Sequence, residues 1–200
     1  VPITGGRIHF NDTELSSLKG RPLKSFRNKM QMIFQDPYAS LNPRMTVYQT
    51  LAEPLMLYKL VDKANLDQAI HQLMDKVGLA RGFVRKYPHE FSGGQRQRIA
   101  IGRALATRPE FIVADEPVSA LDVTIQSQIL DLLEELTKDF GLTMLFISHD
   151  LAVIRQIADR TAVMHGGKLI EEGLTGEVFE NPKNAYTRSL LNAIPLVGKL

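Results

Sequence analysis

Apolar residues in the first half of the chain recur at helical spacing. One series occupies positions i, i+4, i+7, i+8 and i+11: Leu66, Ile70, Leu73, Met74 and Val77. This pattern predicts an amphipathic helix that packs its apolar face into the core, and the following Gly78 predicts its end. Upstream, Thr46 and Gln49 have the spacing of a capping box, and Pro54 is expected to kink or shorten the helix that begins there.

After Phe91 the pattern changes to short apolar runs that alternate with longer helical stretches. Residues 111–114 and 143–147 predict strands that are buried on both faces, and residues 7–10 and 30–34 predict two further strands. Helices are expected from Ser92, near Ile125 and after Asp150, and Gly166–Gly167 predicts a hairpin turn. Alternating strands and helices indicate an α/β fold with a parallel sheet. The helical stretch at residues 36–91 is then a lobe inserted into that core.

Composition excludes several classes of protein. The 200 residues carry a formal net charge of +2, too weak an excess to indicate nucleic-acid binding. Cysteine is absent, which rules out disulfides and thiolate metal sites within these residues. The sequence contains no apolar run of about 20 residues and no signal-peptide pattern near Val1, so we expect any membrane association to depend on a partner.

Two acidic residues follow a predicted buried strand. Asp115 and Glu116 come directly after residues 111–114, which places them at the carboxyl edge of the sheet, where open α/β sheets bind ligands. One carboxylate of such a pair can hold Mg²⁺ while the other orients or deprotonates a water molecule. The alternative is an exposed pair at the start of a loop before Pro117.

Three further sites have polar groups in positions suited to phosphate chemistry. Ser92, Gly93, Gly94 and Gln95 open a predicted helix whose free N–H groups can bind an anion, although a plain helix cap has the same pattern. His149 follows the strand at residues 143–147 and can donate to a phosphate oxygen, or serve only as a structural hydrogen-bonding group. Gln35 ends the strand at residues 30–34, where its amide can reach a metal ion or remain polar surface.

The order of these motifs resembles that of the ATP-binding-cassette (ABC) ATPase family. The correspondence covers nearly the whole chain: Gln35 matches the Q-loop, Ser92 to Gln95 the signature motif, residues 111–115 the Walker B strand, Glu116 the catalytic glutamate, Ser119 to Asp122 the D-loop and His149 the switch histidine. The resemblance implies a P-loop NTPase (RecA-like) core with an inserted α-helical subdomain. It further implies an ATPase-core part at residues 1–35, the helical subdomain at 36–91, the motif-bearing core at 92–165 and a hairpin and tail at 166–200.

The same resemblance implies roles for these residues with ATP and Mg²⁺ as cofactors. Asp115, helped by Gln35, holds Mg²⁺, while Glu116 polarises the attacking water and His149 contacts the γ-phosphate. In the family, two subunits enclose two ATP molecules head to tail. Ser92, Gly93, Gly94 and Gln95 then close on the partner's ATP, and Asp122 crosses the dimer interface.

The segment from Gln35 to Pro43 and the tail from Asn181 to Leu191 are similar to those of dipeptide and oligopeptide importers. This similarity implies transmembrane permease subunits, a second identical or related ATP-binding subunit and, indirectly, a solute-binding protein as partners. No nucleic acid is implied. It also implies a peripheral location on the cytoplasmic face of the inner membrane.

The phosphate-cradling pattern of the family is missing. G-x-x-x-x-G-K-[ST] does not occur, since both glycine–lysine pairs, Gly167–Lys168 in the predicted hairpin and Gly198–Lys199 in the tail, are followed by leucine. We therefore expect an N-terminally truncated subunit that is inactive alone. Two alternatives stay open: a non-transport ABC ATPase of DNA repair or translation, and a non-catalytic module whose partner supplies all catalysis.

Overall fold

The computed structural model describes residues 5–193. Its strands are β1 (His9–Phe10), β2 (Thr13–Glu14), β3 (Met30–Ile33), β4 (Phe111–Asp115), β5 (Thr143–Ile147), β6 (Arg160–His165) and β7 (Lys168–Leu174). Its helices are α1 (Gly20–Arg27), α2 (Pro37–Ser40), α3 (Val47–Leu57), α4 (Leu66–Lys76), α5 (Gly93–Leu105), α6 (Val123–Phe140), α7 (Leu151–Ile157), α8 (Thr175–Glu180) and α9 (Ala185–Asn192). Short 3-10 turns lie at Lys63–Asn65, Arg81–Arg85 and Pro88–Glu90.

A three-stranded parallel sheet of order β3-β4-β5 forms the centre of the fold. Val113 of β4 is aligned with Met32 of β3 on one side and with Leu145 of β5 on the other. All three strands run in the same direction, so their carboxyl ends meet at one edge. The predicted parallel α/β sheet is therefore confirmed.

Within residues 5–193, only one face of this sheet is buried. Ile33, Ile112 and Ala114 are almost completely inaccessible, and the first two share one apolar cluster with residues of α5 and α6. On the opposite face, Leu145 and Ile147 are 50% and 42% exposed. The prediction that β4 and β5 are buried on both faces was wrong, because residues 5–193 leave these two side chains largely accessible to water.

The helices between residues 36 and 91 form as their patterns predict. Thr46 and Gln49 make the reciprocal hydrogen bonds of a capping box at the start of α3. The predicted core stripe of α4 is buried at Leu66, Ile70, Met74 and Val77 and partly buried at Leu73. The helix end predicted at Gly78 is also found, with a left-handed φ of +66° at that glycine.

Pro54 does not end α3, which continues to Leu57. The helix is therefore not shortened at Pro54, and the other expected effect, a kink, stays a prediction. Leu51 and Leu55 flank Pro54 and are almost fully buried, and their burial opposes the loss of one helical hydrogen bond. The helices of this region and the sheet share one apolar cluster, and the division into a core and an inserted lobe stays a prediction.

Polar caps and glycines fix the remaining boundaries. Asp122 and Asp150 accept hydrogen bonds from the first turns of α6 and α7, and Gly141 ends α6 with a φ of +61°. Gly166 and Gly167, both with positive φ, connect β6 and β7 as an antiparallel hairpin, as predicted. Among the helices of residues 5–193, none is long and apolar enough to span a bilayer.

Candidate functional site

Three predicted residues from three different strand ends meet at the carboxyl edge of the sheet. The Gln35 Nε2 donates a hydrogen bond to Glu116 Oε2 at 2.8 Å. On the other side, His149 Nδ1 lies 3.1 Å from Glu116 Oε1. Glu116 therefore stands between Gln35, which follows β3, and His149, which follows β5, with one carboxylate oxygen directed to each.

The backbone of Glu116 has an unusual conformation that is held by the sheet. Its φ is +46°, in the left-handed region that residues with a Cβ seldom adopt. Its N–H donates to the Ile147 carbonyl at 2.9 Å, which continues the β4–β5 ladder by one residue beyond Asp115. Non-glycine residues in this region cost of order 1–3 kcal/mol and cluster at functional sites. This conformation is a second indication that the position of Glu116 is functional.

Ser119 belongs to the same group, although the sequence analysis placed it only in a motif. Its hydroxyl donates to the Glu116 carbonyl at 3.0 Å and accepts a long hydrogen bond from Gln35 Nε2 at 3.5 Å. Ser119 thus stabilises the turn after Glu116 through a hydrogen bond to the carbonyl at its start. The three-residue separation from Glu116, typical of a serine that bonds a backbone carbonyl in a turn, was the available signal.

Asp115 ends β4 and is aligned with Ile147 of β5. It is half-buried beside Glu116. Residues 5–193 contain no cluster of three or more acidic, histidine or cysteine side chains that could enclose a metal ion. The set of Asp115, Glu116 and the Gln35 amide does fit Mg²⁺, which takes one or two carboxylates and fills its octahedron with water and phosphate oxygens.

The turn at Ser92 forms a complete capping box at the start of α5. The Gln95 N–H donates to Ser92 Oγ at 3.4 Å, and the Ser92 N–H donates to Gln95 Oε1 at 3.1 Å. In this conformation the side chains of Ser92 and Gln95 cap the helix, which agrees with the alternative that the pattern is a plain helix cap. Ser92 and Gly93 are nonetheless exposed, so a second molecule can reach them.

The two glycines of this turn have a packing role that the sequence analysis missed. A Cβ on Gly94 would overlap the Cγ2 atom of Ile125 in α6, so only glycine fits there. A Cβ on Gly93 would lie 3.3 Å from Leu121 Cδ2, the end of a flexible side chain. The start of α5 therefore packs directly against the segment that contains Asp122.

Asp122 caps α6 by accepting a hydrogen bond from the Ile125 N–H at 3.0 Å. Its side chain is exposed at the surface next to the Ser92 turn. Within the described part of the chain, no hydrogen bond joins the Ser92–Gln95 turn to Glu116, Gln35 or His149. The predicted residues thus form two separate groups: the Glu116 group, and the turn together with Asp122.

Comparison with known proteins identifies the family. The sequence profile described as "ABC transporter" matches residues 1–119, more than half of the chain. The chain is 55% identical to the Oligopeptide transport ATP-binding protein OppF of Bacillus subtilis over 195 residues, 96% of this chain and 64% of that protein. It is 50% identical to the Dipeptide transport ATP-binding protein DppF of Lactococcus lactis, covering 96% of this chain and 62% of that protein.

Solved structures show the same fold. The cbiO1 protein of Clostridium perfringens, part of the ABC transporter complex cbiONQ, is 27% identical, with a TM-score of 0.79 over 96% of this chain and 74% of that chain. The ATP-binding cassette MJ0796, solved as a dimer bound to ADP and Pi, is 28% identical, with a TM-score of 0.75 over 86% of this chain and 74% of that chain. These matches confirm the predicted family and the P-loop NTPase fold class.

Proposed function

Because the chain belongs to the ABC transporter family, we propose that it is part of an ATP-hydrolysing subunit that powers the import of dipeptides or oligopeptides. The names of its relatives support the peptide assignment: OppF of Bacillus subtilis and DppF of Lactococcus lactis are oligopeptide and dipeptide transport ATP-binding proteins. The chain spans slightly less than two thirds of the length of these relatives. Activity, substrate and partners of the whole protein are therefore proposed from this likeness together with the site.

The contact of Glu116 with both Gln35 and His149 carries the proposal. A carboxylate fixed on each side at the end of a buried strand is suited to orient a water molecule and to accept its proton. His149, with 73% of its side chain exposed, has room to turn towards a phosphate oxygen. Asp115 is the Mg²⁺ ligand in this assignment, and Gln35 responds to the metal and the attacked phosphate.

When bound, ATP would supply the phosphoryl group, and Mg²⁺ would neutralise the negative charge of its phosphates. The 200 residues contain Glu116, proposed to activate water, and Asp115, proposed to bind the metal. They do not contain the glycine–lysine pattern that cradles phosphates. These residues alone thus supply one part of a nucleotide site. The exposed Ser92 turn and Asp122 are proposed to face the nucleotide of a second ATP-binding subunit.

We infer the partners from the same assignment. Transmembrane permease subunits receive the motion of the helical region at residues 36–91, and a solute-binding protein delivers peptide to the permease. The subunit then works at the cytoplasmic face of the inner membrane, attached through its permease. The second ATP-binding subunit is either identical or related.

Peptide uptake by reconstituted vesicles tests the proposal. The gene product that contains these residues is purified with its membrane partners, and uptake of a labelled oligopeptide is followed with and without ATP. We expect ATP-dependent uptake that His149→Ala lowers by a factor of roughly 100. His9→Ala, a change at an exposed histidine in β1, is the matched control and is expected to keep wild-type uptake.

Two results would contradict the assignment in different ways. ATP hydrolysis that neither needs the permease nor responds to peptide would favour a non-transport ABC ATPase. Uptake that is unchanged by His149→Ala would separate the histidine from the chemistry.

A further inference from the structure

Two arginines of α5 hold the segment that follows Gln35. Arg103 Nη1 donates a hydrogen bond to the Ser40 carbonyl at 2.6 Å. The guanidinium of Arg96 lies over the Tyr38 ring, 5.1 Å from its centroid. Arg96 and Arg103 are seven residues apart, two helical turns, so one face of α5 presents both to α2.

The anchor at Arg103 is partly buried. Burial lowers the pKa of the Arg103 guanidinium, and the nearby carboxylate of Glu53 on α3 opposes this effect. An arginine stays charged in any case, so its buried charge needs strong acceptors. The Ser40 carbonyl provides one, and a charge-assisted hydrogen bond of this kind is stronger than one between neutral groups.

The segment between Gln35 and the anchor is a short, internally bonded turn. Asp36 caps α2 through the Tyr38 N–H, and the Ser40 N–H donates to the Asp36 carbonyl. Pro37 is buried and has a fixed φ. Only four residues lie between Gln35 and Ser40. The segment is therefore too short for α5 to move far without also moving Gln35 relative to Glu116.

The Ser92 turn begins the same helix that carries Arg103. Ser92 caps α5, and Arg103 lies eleven residues further on, about 16 Å along a helix. A helix of this length is a stiff connector. Displacement of α5 relative to the sheet would therefore move Ser40 and change the distance between Gln35 and Glu116.

We propose that Arg103 is a positioning residue that ties Gln35 to the signature helix, so that engagement of the Ser92 turn is transmitted to the contact between Gln35 and Glu116. This inference rests on the proposed function, because it concerns the timing of hydrolysis. Arg103 touches neither Glu116 nor His149 and acts only through residues 36–40.

Arg98 provides a matched control on the same helix. Its Nη1 donates to the Val77 carbonyl at 2.8 Å, so it also joins α5 to a backbone oxygen, but at the end of α4 and away from Gln35. If Arg103 only held the fold together, methionine at either position would have the same kind of effect. A positioning role requires the two variants to differ.

Hydrogen exchange measures the anchor without reference to activity. In the nucleotide-free gene product, we expect Arg103→Met to speed exchange in the peptide covering residues 36–41 by about tenfold, which corresponds to the loss of one charge-assisted bond. Arg98→Met should leave that peptide unchanged, and Arg103→Lys, which keeps one donor, should fall between. Unchanged exchange at residues 36–41 in Arg103→Met would overturn the proposal.

Steady-state ATP hydrolysis by the assembled transporter measures the coupling. We expect Arg103→Met to lower kcat about tenfold with KM within about twofold, and Gln35→Ala combined with Arg103→Met to be no slower than Gln35→Ala alone. Arg98→Met should add its effect to that of Gln35→Ala. Additive effects of Arg103→Met and Gln35→Ala would also overturn the proposal.

The two readouts separate this inference from the proposed function. If the wild-type protein does not hydrolyse ATP, the proposed function fails and the positioning role fails with it, while hydrogen exchange still reports whether Arg103 holds residues 36–41. If the wild-type protein is active but hydrogen exchange or the Gln35→Ala and Arg103→Met double variant gives the contrary result, the proposed function stands and the role of Arg103 is refuted. Should Arg103→Met fail to fold, Arg103→Lys is expected to give the same non-additivity at smaller amplitude.

Discussion

Glu116 combines a strained backbone with a carboxylate that has a neighbour on each side. The turn that produces its φ of +46° is closed by Ser119, and the ladder contact with Ile147 holds it in place. Residues with such conformations persist only where the surrounding structure stabilises them. The position of the carboxylate between Gln35 and His149 is therefore a property of the sheet edge and not of a flexible loop.

Gly94 offers a prediction at the scale of one residue. Gly94→Ala places a Cβ against Ile125, and we expect the free energy of unfolding to fall by about 1–3 kcal/mol despite the higher helix propensity of alanine. Chemical denaturation of the purified protein measures it.

Two further variants identify the cause. Gly93→Ala meets only the flexible end of Leu121 and should be close to wild type. Ile125→Ala should remove most of the penalty of Gly94→Ala, because the clashing methyl is gone. Equal losses at Gly93 and Gly94 would show that packing against α6 is not the reason for glycine.

Sequence placed these residues but not their contacts. The strand-end positions of Gln35, Glu116 and His149 follow from the apolar runs and from the parallel order of the strands. The structure confirms the strands and their parallel order. The left-handed turn at Glu116 and the fit of Gly94 to Ile125 depend on tertiary packing, which no local pattern encodes. The two arginines that hold residues 36–40 were missed for the same reason.

At the scale of elements, the sheet is the part that sequence describes least well. Apolar runs predict strands correctly, but they do not tell whether both faces are covered. β5 is an edge strand in the described part of the chain, with Leu145 half exposed. The capping box of Thr46 and Gln49 and the helix end at Gly78, in contrast, have local physical causes and were predicted.

Two leucines test the one-sided sheet. Leu145→Ala in the purified 200-residue chain is expected to lower the free energy of unfolding by less than about 1 kcal/mol, since half of the side chain is already in contact with water. Leu133→Ala, at a residue that is 2% exposed, should cost about 2–5 kcal/mol. Similar losses in thermal or denaturant unfolding would mean that Leu145 is covered in solution.

The tail helix α9 is attached through Glu171 of β7. The Glu171 carboxylate accepts hydrogen bonds from the backbone N–H groups of Lys183 and Asn184 at 2.7 and 3.1 Å. The Thr187 side chain and these N–H groups hold the pKa of Glu171 below its ordinary value of 4.5. A lowered pKa means that the attachment is fully present above pH 4.5 and is lost as the pH falls through the lowered pKa.

NMR amide shifts of Lys183 and Asn184 measure this attachment. We expect both signals to move together on acidification below pH 4.5, and Glu171→Gln to abolish that movement because no carboxylate remains to titrate. Glu172→Gln, a change at the exposed neighbouring residue, should leave it intact. A transition that survives Glu171→Gln would assign the attachment to another group.

For the molecule as a whole, one apolar cluster joins the sheet to the helices of residues 36–91. The proposed nucleotide site is less complete, because the phosphate-cradling pattern is absent from the 200 residues. We expect the isolated 200-residue chain to bind ATP with a Kd weaker than about 1 mM by calorimetry. Tight binding, or hydrolysis that disappears with Glu116→Gln, would show that the chain forms a nucleotide site without that pattern.

The most direct test of the central claim is single-turnover ATP hydrolysis by the assembled transporter with Glu116→Gln. The amide keeps the shape of the side chain but cannot accept a proton, so we expect the hydrolysis rate to fall by a factor of roughly 100 or more while ATP is still bound. Glu135→Gln, on the exposed face of α6, should hydrolyse ATP at the wild-type rate. Hydrolysis by Glu116→Gln at a rate close to that of Glu135→Gln would contradict the account.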